Sequence, residues 1–174
     1  MEKPIVSVVM GSDSDLPVMK DSCEILEKFG IPFEVSVLSA HRSPEETTDF
    51  AKKALDHGIK VIIAGAGGAA HLAGVIASLY ILPVIGVPLK TSTLNGVDSL
   101  YSIVQMPPGI PVATVGINAA KNAGLLAIEI LAVQDIKLQK KLADFKLSLS
   151  KSVSDKNIKL NKLGYKKYLK IEKK

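Results

Sequence analysis

Residues 60–80 read KVIIAGAGGAAHLAGVIASLY. The opening KVIIA, at 60–64, is nearly all apolar and β-branched, as expected of a strand covered on both faces. A glycine run follows at 65–68, then mostly small residues whose pattern at 69–80 predicts a helix. A doubly covered strand feeding directly into a helix is one unit of a parallel sheet, because a parallel neighbour can be reached only through a crossover.

The same alternation continues in both directions. Strands are predicted at 5–10, 33–38, 83–87 and 111–115. A helix at 16–29 carries Leu16, Met19, Cys23, Leu26 and Phe29 on one face. A second, at 44–57, is opened by Ser43 as N-cap and Pro44 at its first position. A long Ala/Leu/Ile helix is predicted at 118–133. Repeated strand–helix–strand units imply an α/β fold with a central parallel sheet between two helical layers. This α/β domain is expected to occupy residues 1–135. After it, Ile136, Leu138, Leu142, Phe145 and Leu149 recur at helical spacing and predict a C-terminal packing helix at 136–150. Residues 151–174, rich in Lys, Ser and Asn, are expected to form a loosely ordered tail.

The 174 residues are 47% hydrophobic and 22% charged, which suits one globular core and excludes wholesale disorder. The longest apolar stretch, 72–89, is interrupted by Gly74, Ser78, Pro83 and Gly86, so no membrane span is predicted. The N-terminal apolar run enters a glycine turn and acids rather than a cleavage site, and Cys23 has no second cysteine to pair with. A cytoplasmic protein is expected. The net charge of +5 is unevenly placed. Residues 1–136 carry 9 Lys and Arg against 14 Asp and Glu, a net −5, while residues 137–174 carry 13 Lys against 3 acids, a net +10. A nucleic-acid-binding domain concentrates positive charge on its folded surface, which this one does not. Isolated lysines without interleaved aromatics read as a solvated face.

Ligands of open parallel sheets bind beyond the carboxyl ends of the strands, and three segments lie there. Gly11-Ser12-Asp13-Ser14-Asp15 follows the first strand; its hydroxyls and helix-start amides suit an anion, with Asp15 available to a ribose hydroxyl. The alternative is that Ser14 or Asp15 merely caps the helix. Ser39-Ala40-His41-Arg42-Ser43-Pro44 follows the second strand and offers a titrating imidazole beside a phosphate-matching guanidinium; the alternative is an exposed loop without a task. The run 64–72, with Gly67, Gly68, Ala69, Ala70 and His71, follows the third strand and lets a ligand approach the backbone. The alternative there is a flexible turn with His71 as a core histidine. The run fits neither GxGxxG nor Walker A. No GxSxG elbow is present, and His41 and His71 lack metal-ligand spacing to a Cys or carboxylate. His57 reads as a solvated residue at a helix end and Cys23 as a small core residue. The long connection 90–110, too long for a simple turn, is expected to be functional.

Five motifs in this order resemble one family: GSDSD at 11–15, SAHRSP at 39–44, AGAGGAAHLAG at 64–74, LPVIGVP at 82–88 and GVDSLYSIVQMPPGIPVATV at 96–115. They are similar to the class I N5-carboxyaminoimidazole ribonucleotide mutases of purine biosynthesis, the phosphoribosylaminoimidazole carboxylase catalytic subunit family. The resemblance spans about residues 5–135; the lysine-rich tail lies outside it, and Pro108 occupies a position that is often Arg. It implies a flavodoxin-like three-layer sandwich, an octamer, and no cofactor or metal. It also implies that Ser12, Ser14, Asp15 and Ser39 contact the nucleotide and that Arg42 holds its phosphate. His41 would carry the proton, Gly67, Gly68, Ala69, Ala70 and His71 would line the space where the carboxylate moves, and the 90–110 segment with its SIVQMP core at 102–107 would close the pocket. A related branch that carboxylates aminoimidazole ribonucleotide directly commonly has Lys and Asn where this chain has Arg42 and His71. Direct carboxylation and a non-catalytic phospho-ligand module remain the alternatives at this point.

Overall fold

Three strands of almost wholly apolar residues form the centre of the molecule. The computed structural model describes residues 3–172. Strands β1 (Val6–Met10), β2 (Phe33–Val37), β3 (Val61–Gly67), β4 (Val84–Leu89) and β5 (Ala113–Thr114) form one sheet of order β2-β1-β3-β4-β5, every adjacent pair parallel. All of β1 and β4 is buried, and β3 is buried to Ala66. That is why their sequences show no polar alternation.

Helices α1 (Leu16–Phe29) and α5 (Ala120–Ala132) cover one face of the sheet. They pack on Val6, Val8 and Met10 of β1, Ile63 of β3 and Val87 of β4. Helices α2 (Pro44–Lys53), α3 (Leu72–Leu79) and α4 (Val97–Val104) lie on the other side, around Val9, Ile62, Ala64, Ile76 and Ile103. The result is the expected flavodoxin-like α/β/α sandwich. Helix α1 ends where Gly30 adopts φ 72°, with Ile31 N–H returning to Leu26 O at 3.0 Å. That left-handed residue is one glycine tolerates and other residues resist.

Two expectations are corrected by the structure. The glycine run after the third strand does not begin a loop at Gly65, because β3 continues to Gly67 and pairs with Leu89 of β4. Gly65 faces the fully buried Met19, and a Cβ there would collide with its thioether. That glycine thus serves helix–sheet packing. The C-terminal helix expected at 136–150 runs unbroken as α6 (Ile136–Leu163), and α7 (Tyr165–Glu172) follows Gly164. Residues 151–163 contain no Gly or Pro to end a helix, although their apolar pattern weakens. The segment expected to be loosely ordered is therefore helical as far as it is described; residues 173–174 lie outside the described residues.

The start of α6 is anchored firmly. Asp135 caps it by accepting from Lys137 N and Leu138 N at 2.8 and 3.1 Å. Phe145 meets Phe29 edge-on at 5.7 Å, and Lys141 Nζ donates to Phe29 O at 2.8 Å, using a carbonyl left over at the end of α1.

Candidate active site

The strand order brings four loops to one edge of the sheet. From one side to the other they follow β2, β1, β3 and β4. Between them lies a cleft of about 690 Å³. A larger hollow of about 910 Å³ has a mostly aliphatic lining and holds none of the candidate site residues.

The loop after β1 folds on itself. Ser12 caps a 3-10 turn at Asp13–Asp15, and the Asp15 carboxylate accepts from Ser12 N at 3.0 Å, completing a capping box. Ser14 Oγ and Ser12 Oγ are 2.9 Å apart, so both hydroxyls stand together at the cleft wall. The local cap and the proposed ligand contacts therefore share residues, although Ser12, rather than Ser14 or Asp15, supplies the capping oxygen. Burial raises the Asp15 pKa above 3.8, against the opposing pull of the Ser12 amide and the Arg42 charge.

The loop after β2 is braced by its serines. Ser39 Oγ accepts from Arg42 N at 3.2 Å and from Arg42 Nε at 3.4 Å. The guanidinium reaches across to the neighbouring loop, donating from Nη2 to Gly11 O at 2.7 Å. Ser43 does not cap α2 with its side chain as expected. Its Oγ accepts instead from Ser39 N at 3.1 Å, closing the loop that presents His41 and Arg42.

His41 and His71, thirty residues apart in sequence, meet in the cleft with Nε2 2.9 Å from Nδ1. Their rings stand nearly perpendicular, at 87°. At that distance one nitrogen must present a proton and the other a lone pair. His71 is thus no satisfied core residue but the partner of the other cleft imidazole.

Gly67 and Ala69 line the cleft, whereas Gly68 and Ala70 do not. The Gly68 amide donates to the buried Ser99 Oγ at 2.8 Å, and its carbonyl accepts from Ala70 N at 2.8 Å and from Ser102 Oγ at 3.2 Å. Ala70 is fully buried. These two residues shape the turn from behind, with α4 holding it, and their amides face protein. The expected closing segment divides in the same way: Ser99 and Ser102 brace the β3 turn, and no residue of 102–107 lines the cleft within one chain. The part of that segment which does reach the cleft is its start, where Lys90, Thr91 and Ser92, not singled out individually in the sequence, form the wall after β4. The strand-end rule used for the other three loops points to them equally. Among the described residues no group of three or more His, Cys, Asp or Glu is placed to hold a metal ion.

The chain is 57% identical over 168 residues to N5-carboxyaminoimidazole ribonucleotide mutase of Pyrococcus horikoshii, covering 97% of this chain and 95% of that one. It is 58% identical over 166 residues to the mutase of Thermotoga maritima, covering 95% and 97%. Phosphoribosylaminoimidazole carboxylase of Candida glabrata is 55% identical over 97% of this chain but only 30% of its own length. These alignments extend past residue 135 into the C-terminal segment. Among solved structures, Treponema denticola PurE superimposes with a TM-score of 0.82 at 30% identity, over 90% of this chain and 98% of that one. The sequence profile of the AIR carboxylase family matches residues 5–152, and the chain belongs to that family.

Proposed function

We propose that this chain is an isomerase of purine biosynthesis, converting N5-carboxyaminoimidazole ribonucleotide to 4-carboxy-5-aminoimidazole ribonucleotide. The names of its full-length relatives support the reaction. The single observation that carries the chemistry is the 2.9 Å contact between His41 and His71 inside the cleft. A binding module has no need of two imidazoles sharing a proton beside its ligand.

In this reading Ser12, Ser14 and Asp15 contact the nucleotide, Arg42 holds its phosphate, and Ser39 keeps the guanidinium in place. Gly67, Ala69 and His71 line the reacting end, with Gly68 and Ala70 supporting them. The N–carboxylate bond breaks to release carbon dioxide, and the ring's exocyclic nitrogen takes a proton from His41. Carbon 4, the nucleophilic end of the resulting enamine, attacks the trapped carbon dioxide. Neutral His41 then removes the proton from carbon 4 and restores aromaticity. The proton count closes, with one group acting first as acid and then as base. Held beside its acceptor, carbon dioxide reacts as if intramolecularly.

Direct carboxylation is the second reading, favoured by the likeness to the Candida glabrata carboxylase. One experiment separates the two. Substrate labelled with carbon-13 in its carbamate is converted in unlabelled bicarbonate buffer and the product is read by nuclear magnetic resonance. Retention of label at early times is expected; complete exchange with the buffer overturns the mutase reading.

The chain is also read as a cytoplasmic homo-oligomer, an octamer by resemblance, with residues 1–135 as the catalytic unit. The extended helix α6 and α7, exposed along much of their length, support assembly.

A further inference from the structure

The cleft has two cationic ends. Arg42 follows β2 and Lys90 follows β4, three strand spacings apart in the sheet order, about 14 Å between backbones. The two cations are held differently. Arg42 is fixed by Gly11 O and Ser39 Oγ. Lys90 is fixed only at its backbone, where its N–H donates to Asn118 Oδ1 at 2.8 Å. Asn118 in turn adopts φ 57° and donates its own N–H to Pro88 O at 2.9 Å. A Cβ on Gly96 would stand 3.1 Å from Lys90 Cα, so that backbone is packed as well as bonded.

The Lys90 ammonium has no acceptor or ion-pair partner among the described residues. The acids at this edge are already engaged. Asp98 accepts from Thr91 Oγ1 at 3.1 Å through both oxygens, and Asp15 accepts from Ser12 N. A fixed base carrying an uncompensated charge on a flexible stem thus stands at the end of the cleft opposite the guanidinium.

The geometry points to Lys90 as the counter-charge for the substrate's carboxylate, with the phosphate lying toward Arg42. This assignment rests on the mutase reading of the cleft. In that reaction the ligand is anionic at both ends, and the carboxylate changes position, from exocyclic nitrogen to ring carbon 4. A guanidinium fork matches one carboxylate geometry, whereas an ammonium on four methylenes is a point charge that can follow the group between two positions. Lys90 would therefore discriminate carboxylated nucleotide from the decarboxylated ring system.

Calorimetric binding of two nucleotides to the full chain tests this: 4-carboxy-5-aminoimidazole ribonucleotide and 5-aminoimidazole ribonucleotide, which share a phosphate and differ by the carboxylate. Lys90→Gln, at an exposed position, is expected to weaken the first by roughly tenfold or more, the scale of a charge-assisted contact, and the second by less than about twofold. Lys90→Arg should restore most of the affinity for the carboxylated ligand. Equal losses for both nucleotides would assign Lys90 to the phosphate or to a general field and overturn the inference, as would no loss for either. If the unaltered chain binds neither nucleotide, the mutase reading itself fails and takes this assignment with it.

Discussion

His41 is held by one directional contact, and that contact sets what substitutions there can do. An asparagine keeps a compact polar side chain, but it stops short of the Nε2 position and does not titrate. His41→Asn is therefore expected to bind the nucleotide nearly as before while losing about two to four orders of magnitude in turnover. Near-normal turnover, measured by single-turnover conversion of the carbamate substrate, would remove His41 from the proton-transfer role. Asp15 offers a test of a different kind. Burial raises its native pKa above 3.8, so the folded chain holds this proton more tightly than the unfolded chain does. The stabilising contribution is present below pH 3.8 and is lost as pH rises through the native value. Asp15→Asn cannot titrate, so wild type should lose stability relative to this variant as pH climbs from below 3.8 toward neutrality. Melting temperatures of both proteins across that range provide the check, and a difference that is flat or grows in wild type's favour contradicts the burial argument.

At the scale of elements, packing decides what a glycine or a loop is for, and this is where the sequence was only partly legible. Fully buried parallel strands announce themselves as unbroken apolar runs, so β1, β3 and β4 were readable with the helices between them. The purpose of Gly65 was not, because Met19 lies in another element and only the folded chain sets it against that glycine. The contact of His41 with His71 is hidden for the same reason: each histidine was visible at a strand end, but their 2.9 Å approach depends on β2 and β3 flanking β1. Gly68 and Ala70 looked like ligand-facing backbone, yet a hydrogen bond to Ser99, one from Ser102 and one within the turn occupy them. Gly124 follows this logic in the layer on the other face. A Cβ there would meet Ile25 and come within 3.1 Å of Ser22 O, a backbone atom that cannot swing aside. Alanine gains about 1 kcal/mol in helix propensity, against about 1–3 kcal/mol for overpacking a fitted contact. Gly124→Ala is accordingly expected to lower the denaturation midpoint by separating α1 from α5, and a raised midpoint would show that the two helices yield more easily than their spacing implies.

For the whole molecule, the decisive asymmetry is between an acidic body and a basic helical arm. Residues 1–136 carry −5 and residues 137–174 carry +10. The arm's first turns are anchored on α1 and α5, but farther along α6 Val153 is 68% exposed and Ile158 61%. A helix that presents aliphatic side chains to water draws little stability from its own hydrogen bonds and is stabilised chiefly by a covering surface. Two such arms pairing with each other would bring like charges together, whereas the acidic body of a second copy offers the opposite sign. The arm is thus expected to support assembly by resting on a neighbouring body, with both apolar burial and long-range attraction favouring that choice. A chain ending at residue 150 should keep the cooperative melting of the sandwich but show a smaller assembled mass by light scattering. The full chain should also lose mass at 1 M salt, where charges are screened beyond about 3 Å, compared with about 10 Å at 0.1 M. An assembled mass unchanged by the truncation would place the subunit contacts wholly on the sandwich and leave the arm as a solvated extension. Unchanged mass at high salt, with a loss on truncation, would instead assign the contact to the aliphatic stripe rather than to the charge division.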